Sequence, residues 1–310
     1  MLHLNQLAVL VPEKRVSITT LQEETQLPSV MLSIYRTIYG LRTVPIWDSS
    51  TESLLSAVFE KLLKKMHSVN SVNSVKYLIH VHTAKWLFPF GDHVLSRLKK
   101  KWGFDLAMSW GSTQYKCVSF FNTLAILDLL LKNNKNAAAI ILTGEVAFTS
   151  KLRVVPRSTI VGDAATAALF STSGEDHALL SVSNKLLSGY AKGIYLSDAA
   201  LANFDLHFIK EMVEVINQAL LKSSISIKEI NLILPHNVNI PTWKKIADAL
   251  RFPIEKVYLK NVSEFGHCFC SDHLINLQSV LSEHLLKKND YYLMAGCGLG
   301  FYLSAAVFRY

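Results

Sequence analysis

Short apolar runs alternate with amphipathic segments along most of the chain. That alternation limits the fold more than any other feature of the sequence. Residues 76–83 (KYLIHVHT), 104–110 (FDLAMSW), 137–145 (AAAIILTGE) and 164–172 (AATAALFST) read as strands. Between them, 91–103 (GDHVLSRLKKKWG) and 119–133 (SFFNTLAILDLLLKN) carry helical spacing. The strand runs lack a polar face, so both sides of the sheet must be covered, which predicts an α/β fold with parallel, two-sided sheets. The second half repeats the theme: helix 207–223, strand 230–237, helix 240–252 with Pro241 in its first turn, strand 255–261, helix 273–288, then two strands around a Gly-rich turn.

The two halves correspond. In each, a strand leads to a short helix, a second strand, a polar loop and a longer helix. Thirty-five positions separate His82 from Cys117, and 31 separate His236 from His267. Cys117 and His267 therefore take equivalent places in an internal duplication at half-chain scale. The division predicted is 1–173 and 174–310. Duplication also gives reactive side chains a reason to meet, because strand ends and helix starts of the two halves face each other.

Composition narrows the class. Half of the 310 residues are hydrophobic and 18% are charged, which suits a large buried core. No apolar run is long enough for a spanning helix, and the first residues lack a secretory pattern. Four cysteines make no disulfide framework, so the chain reads as cytoplasmic with reduced thiols. The net charge of +8 is dispersed, and no nucleic-acid-binding motif accompanies it. It suits an acidic protein partner or a phosphorylated carrier, and equally suits plain solubility.

Three residues stand out chemically. Cys117 lies at the start of the 119–133 helix, where backbone N–H groups favour a thiolate; a small buried hydrophobe would satisfy the same position. His236 follows a buried strand in LPHNVN, a place for a base, for a donor to an oxyanion, or for an ordinary loop histidine. His267 follows Gly266, which permits a sharp turn. The segment 267–273 (HCFCSDH) offers ligand types in Cys268, Cys270 and His273, but C-x-C is not zinc spacing, and no metal is expected. The Gly-rich 296–301 (GCGLGF) is not a phosphate loop, since no Lys-Ser/Thr follows it; it can offer N–H donors to an oxyanion.

Together these motifs resemble the thiolase-fold condensing enzymes, specifically the ketoacyl synthase III group. Residues 116–133 are similar to the family's Cys-Ala-Gly-Phe and the long helix behind it, with Cys117 and Phe120 in the matching places. The run ending Gly144-Glu145, the segment Arg157…Gly162-Asp163, LPHNVN around His236 and the closing AGCGLGF are similar to further family motifs in the same order. The resemblance implies a thiolase-like fold of two pseudo-symmetric halves in five α-β-α-β-α layers. It implies an acyltransferase that forms an acyl-Cys117 intermediate, followed by decarboxylative Claisen condensation with a malonyl-type thioester. Catalysis would fall to Cys117, His236 and His267. An oxyanion loop would be Gly298, Leu299 and Gly300, and substrate contacts would come from Phe88, Phe120, Arg157 and Asn239.

No cofactor is implied. The partners implied are acyl thioesters of carrier protein or coenzyme A, an acidic acyl carrier protein, and a second copy or related chain as a dimer; neither nucleic acid nor membrane is among them. The chain departs from the family at His267, where asparagine is usual, and at Leu299. Ile34 and Ile38 stand where coenzyme A-holding Trp and Arg are usual, which favours a carrier-bound donor. Acyl transfer to a hydroxyl or amine, or a scaffolding subunit, are the other readings of the same residues.

Overall fold

The nine main strands fall into two groups. A computed structural model describes residues 1–66, 74–85, 87–89, 91–134 and 136–310. The first group is β1 (Leu2–Leu10), β2 (Val75–Val81), β3 (Met108–Ser112), β4 (Ala138–Glu145) and β5 (Ala164–Ser171). The second is β6 (Ala178–Leu186), β7 (Ile230–Pro235), β8 (Tyr291–Gly298) and β9 (Tyr302–Arg309). Their spatial order is β7-β8-β9-β6-β1-β5-β4-β2-β3. Among the described residues the strand groups pair where Leu2 and His3 of β1 meet Leu179 and Ala178 of β6.

Numbered within its own half, the first group runs third, second, fourth, fifth, first. The second runs in the same order once its third strand is counted. That strand is the predicted 255–261, and here the prediction needs correction. Only Val257 bridges, to Ile233 of β7. Residues 254–256 form a 3-10 turn and Lys260–Phe265 is helical. The duplication survives in topology while one strand shrinks to a single bridge.

Besides the helices Gln22–Thr25, Ser29–Thr37 and Ser150–Arg153, the described residues form α1 (Thr51–Met66), α2 (Val94–Trp102), α3 (Ser119–Leu131), α4 (Asp198–Ser223), α5 (Ile240–Leu250), α6 (Lys260–Phe265) and α7 (Asp272–Ser282). Side-chain alternation along the strands builds the layers. On β8, Tyr292 and Met294 face α3 and α7, while Leu293 and Ala295 face α4 and α5. On β4, Ala139 and Ile141 face α3, whereas Ala138, Ile140 and Leu142 pack against α1 and α2. The result is five layers, with α3 and α7 sandwiched between the sheets. This middle position explains why α3 is apolar nearly all round.

Other boundaries moved. Strand β3 begins at Met108, because Phe104 turns into the outer helix layer and Leu106 is exposed. Helix α4 starts nine residues earlier than its apolar spacing indicated, capped by the Ser197 side chain on the Ala200 N–H. Helix α7 stops at Ser282. No helix among the described residues is long and apolar enough to cross a membrane.

Candidate active site

Cys117, His236 and His267 line one cavity of about 180 Å³. Each arrives on a different local device. Cys117 sits in a single 3-10 turn, Lys116–Val118, directly ahead of α3. Lys116 takes a positive φ of 54° to make that turn. The turn is pressed against β8: a Cβ at Gly298 would come within 2.2 Å of the Tyr115 carbonyl oxygen, so only glycine fits there. The thiol is 4% exposed and accepts from the Thr83 hydroxyl at 3.5 Å.

His236 follows β7. Its backbone carbonyl accepts from Trp243 Nε1–H at 3.1 Å, which ties the loop to α5. Its Nδ1 accepts the Cys297 N–H at 2.8 Å. A neutral ring with Nδ1 accepting must carry its hydrogen on Nε2. Burial, then the neighbouring His267 and His273, push its pKa well below the ordinary value, so the ring is neutral.

His267 is anchored to the other half. Its carbonyl accepts from Gly162 N–H at 2.9 Å, and its N–H donates to the Ile160 carbonyl at 3.2 Å. Gly266 permits this approach, since a Cβ there would meet the Ile160 oxygen at 2.6 Å. The ring Nδ1 donates to Asp272 Oδ2 at 2.6 Å. Burial works against charge on this ring, but the Asp272 carboxylate and the Cys117 sulfur outweigh it and raise the pKa to about 10. The two imidazoles lie 6.2 Å apart between centres.

The remaining predicted residues divide. Asn239 lines the cavity, caps α5 by accepting the Thr242 N–H at 2.9 Å, and donates to the Ser158 carbonyl at 3.3 Å. Arg157 lies at the rim, paired with Asp205 at 2.7 Å. Gly298 and Leu299 line the cavity; Gly300 packs beside Gly193 instead. Phe120 does not reach the cavity: it is wholly buried in the middle layer beside Phe121 and Phe170. Phe88 packs against His80 and the outer layer, also away from it.

Within 267–273, Cys270 Sγ donates to the Lys116 carbonyl at 3.1 Å, Cys268 Sγ to the Phe265 carbonyl at 3.7 Å, and His273 Nε2 to the Ala295 carbonyl at 3.1 Å. Among the described residues no group of three or more ligand-type side chains could hold a metal ion.

Residues 220–310 match the family model described as 3-oxoacyl-[acyl-carrier-protein (ACP)] synthase III, C terminal. The beta-ketoacyl-[acyl-carrier-protein] synthase III of Aquifex aeolicus (strain VF5) is 26% identical over 227 residues, which is 70% of each chain. The solved 3-oxoacyl-[acyl-carrier-protein] synthase III of Aquifex aeolicus VF5 superposes with a TM-score of 0.82 over the full length of both chains, at 18% identity. The chain is a ketoacyl synthase III-like enzyme of the thiolase fold. A structure described as the acyltransferase ChlB3 is similar at a TM-score of 0.86 and 16% identity, covering 99% of this chain and 97% of that one.

Several residues that shape the site of this ketoacyl synthase III-like chain escaped the sequence reading. Asp272 is fully buried; besides His267 it accepts the Asn237 N–H at 2.6 Å and the Cys268 N–H at 2.7 Å, so one carboxylate ties both histidine loops together. The only signal was its place, five residues after His267. Glu145 accepts the N–H groups of Thr83 and Ala84 and so fixes the hydroxyl that touches Cys117. Burial raises the Glu145 pKa to about 7 against those hydrogen bonds. Cys297 lines the cavity and presents its N–H to His236.

Proposed function

We propose that the chain is a condensing acyltransferase, with the nucleophile from the 1–173 half and two imidazoles from the 174–310 half. The observation that carries this reading is the convergence of one thiol and two imidazoles of unlike protonation on a single cavity. In the first stage Cys117 attacks an acyl thioester, the donor thiol departs with a proton, and an acyl-Cys117 remains. The oxyanion formed on the way is held by the N–H of Cys117 and N–H groups of the 298–300 loop.

In the second stage the Nε2–H of His236 and the Nε2–H of His267, the latter in the protonated form that Asp272 favours, hold the carbonyl oxygen of a malonyl-type thioester. Carbon dioxide leaves, its bonding electrons form an enolate under those donors, and the carbanion attacks the acyl carbon. The Cys117 sulfur leaves with its electron pair, and a 3-ketoacyl thioester is released. An imidazole N–H can do here what an amide N–H does in the family, because both supply a donor to the developing oxyanion. A place in fatty-acid, polyketide or related acyl-chain assembly follows from that product class.

The donor is read as a carrier-bound thioester. Exposed Lys244 and Lys245 stand on α5 beside the cavity-lining Thr242, and the chain's net charge is +8, which suits an acidic carrier protein. Ile34 and Ile38 are not among the cavity's lining residues. A dimer is read from β3, an edge strand whose Met108 is 65% exposed and whose neighbour Leu106 is 91% exposed. Bare apolar edges of this kind invite pairing with a second sheet.

The test is direct. Incubation with acyl thioesters should add the acyl mass to the intact chain, and Cys117→Ala should abolish the addition. Carbon dioxide release from a malonyl thioester, with 3-ketoacyl product, then distinguishes condensation from simple transfer. Persistence of the acyl mass in Cys117→Ala would sink the assignment.

A further inference from the structure

Condensation asks of residue 267 only an N–H donor, and an amide would serve. His267 is built for more. Its Nδ1–H is bound by a buried carboxylate at 2.6 Å, and the ring shares its cavity with Cys117, whose sulfur favours the charged ring. Asp272 is 0% exposed and His267 2% exposed, so the pair is shielded from water. A carboxylate on Nδ1–H fixes the tautomer and leaves Nε2 as a proton acceptor when the ring is neutral. His236 has no such freedom. Its Nδ1 is occupied by the Cys297 N–H, so its Nε2 already holds a hydrogen.

We propose that His267, oriented by Asp272, acts as the base that draws a proton from a hydroxyl-bearing acceptor at the Cys117 acyl-enzyme, so that the same cavity delivers acyl groups to oxygen as well as to carbon. This rests on the reading that Cys117 carries an acyl group. The step balances without any oxidant or reductant. The acceptor oxygen attacks the acyl carbon while its proton passes to His267 Nε2. The carbon–sulfur bond breaks, its electron pair returns to Cys117, and the proton on His267 moves to that sulfur. An ester and the free thiol result. Alcohols need such a base because a neutral hydroxyl is a weak nucleophile. Ser158, Asn239 and Thr242 line the outer cavity and give a polar acceptor hydrogen-bonding partners.

The charged and titratable groups around the ring agree with this role. Asp272 on α7 and Cys117 ahead of α3 both favour the imidazolium, while burial, His236 and His273 oppose charge, and Glu145 on β4 lies within electrostatic reach. Acylation sends the Cys117 proton away with the departing donor thiol. The neutral fraction of His267, held by Asp272, is then the base for a hydroxyl, and its protonated fraction remains the Nε2–H donor for a malonyl-type carbonyl.

The experiment starts from whole chain acetylated on Cys117 with acetyl-N-acetylcysteamine and freed of reagent. Glycerol is added, and loss of acetyl mass and acetylglycerol are followed by mass spectrometry. The wild type should form ester at a rate that climbs with pH from about 6.5 toward about 10, as a base with the raised proton affinity of His267 requires. Asp272→Asn and His267→Asn should each slow ester formation by about 100-fold. In His267→Asn the loss of ester should exceed the loss of 3-ketoacyl product by at least about tenfold, since an amide still donates but cannot accept the proton. Equal losses in the two reactions would overturn the proposal. So would an acetyl-enzyme that persists in glycerol, or a pH-independent wild-type rate, and the latter two need no variant to fold. If Cys117 never gains the acetyl mass, the acyl-enzyme reading fails first and this one falls with it.

Discussion

His236 and His267 are equally cut off from water and face the same cavity, yet they hold protons in opposite ways. Strand β8 gives His236 a backbone N–H as partner, that of Cys297; the first residue of α7, Asp272, gives His267 a carboxylate. Burial lowers the proton affinity of both. Only the second has a negative charge near enough to reverse it. The comparison teaches that partner atoms, not depth, assign the two roles, and that the sequence change from amide to imidazole at 267 acts together with Asp272.

Acidification should have the largest effect on stability and should separate the two rings. His80 (about 3), His273 (about 4), His177 (about 4), His236 and His82 all bind protons less readily folded than unfolded. Their neutral forms stabilise the fold fully above the unfolded value near 6.5, and that contribution is lost as pH falls below it. The loss is on the order of 2 kcal/mol for each fully buried ring between pH 6.5 and 5. Glu145, raised to about 7, changes in the opposite direction and offsets part of it. His267 behaves oppositely to His236: its contribution is complete below 6.5 and is lost as pH rises through about 10. Melting temperatures taken from pH 5 to 10 should therefore fall at both ends; a curve flat on the acid side would contradict neutral buried histidines.

Asp272→Ala attacks the comparison at its source. It strips the counter-charge from His267 and leaves the N–H groups of Asn237 and Cys268 unpaired in a dry interior. A loss of about 3–5 kcal/mol is expected in denaturant unfolding. Gly296→Ala probes the His236 side. Its new Cβ would lie 2.7 Å from His236 Nδ1 and 3.0 Å from His273 Nε2, so both rings must shift. Destabilisation of about 1–3 kcal/mol, with slower acylation of Cys117, is the expected result. The smallest effect belongs outside both loops: Asp205→Asn breaks only the exposed pair with Arg157, and calorimetry should find less than about 1 kcal/mol.

The layered fold was largely legible, because strands buried on both faces and a helix apolar all round can only sit inside a sandwich of this type. What escaped were segments whose shape depends on distant partners. β1 alternates weakly and gave no clear strand signal, yet it occupies the seam between the two sheets. Residues 255–261 have strand-like composition, but Tyr258 is drawn into the middle layer and Lys260–Phe265 coils into α6, so only Val257 bridges. Phe120 matched a motif position, but the helix phase turned it into the core.

Residue types and their order by themselves determined the α/β class, the duplicated plan, and a thiol and two imidazoles at corresponding loop positions. Only the tertiary structure decided what those groups are chemically. A histidine becomes a donor or a base according to the atom against its Nδ1. Here that atom is supplied by Cys297, 61 residues away, for one ring and by Asp272 for the other. Such pairings are set by how two sheets and the loops at their ends close over one cavity, where low dielectric makes a single contact outweigh the intrinsic properties of the side chain.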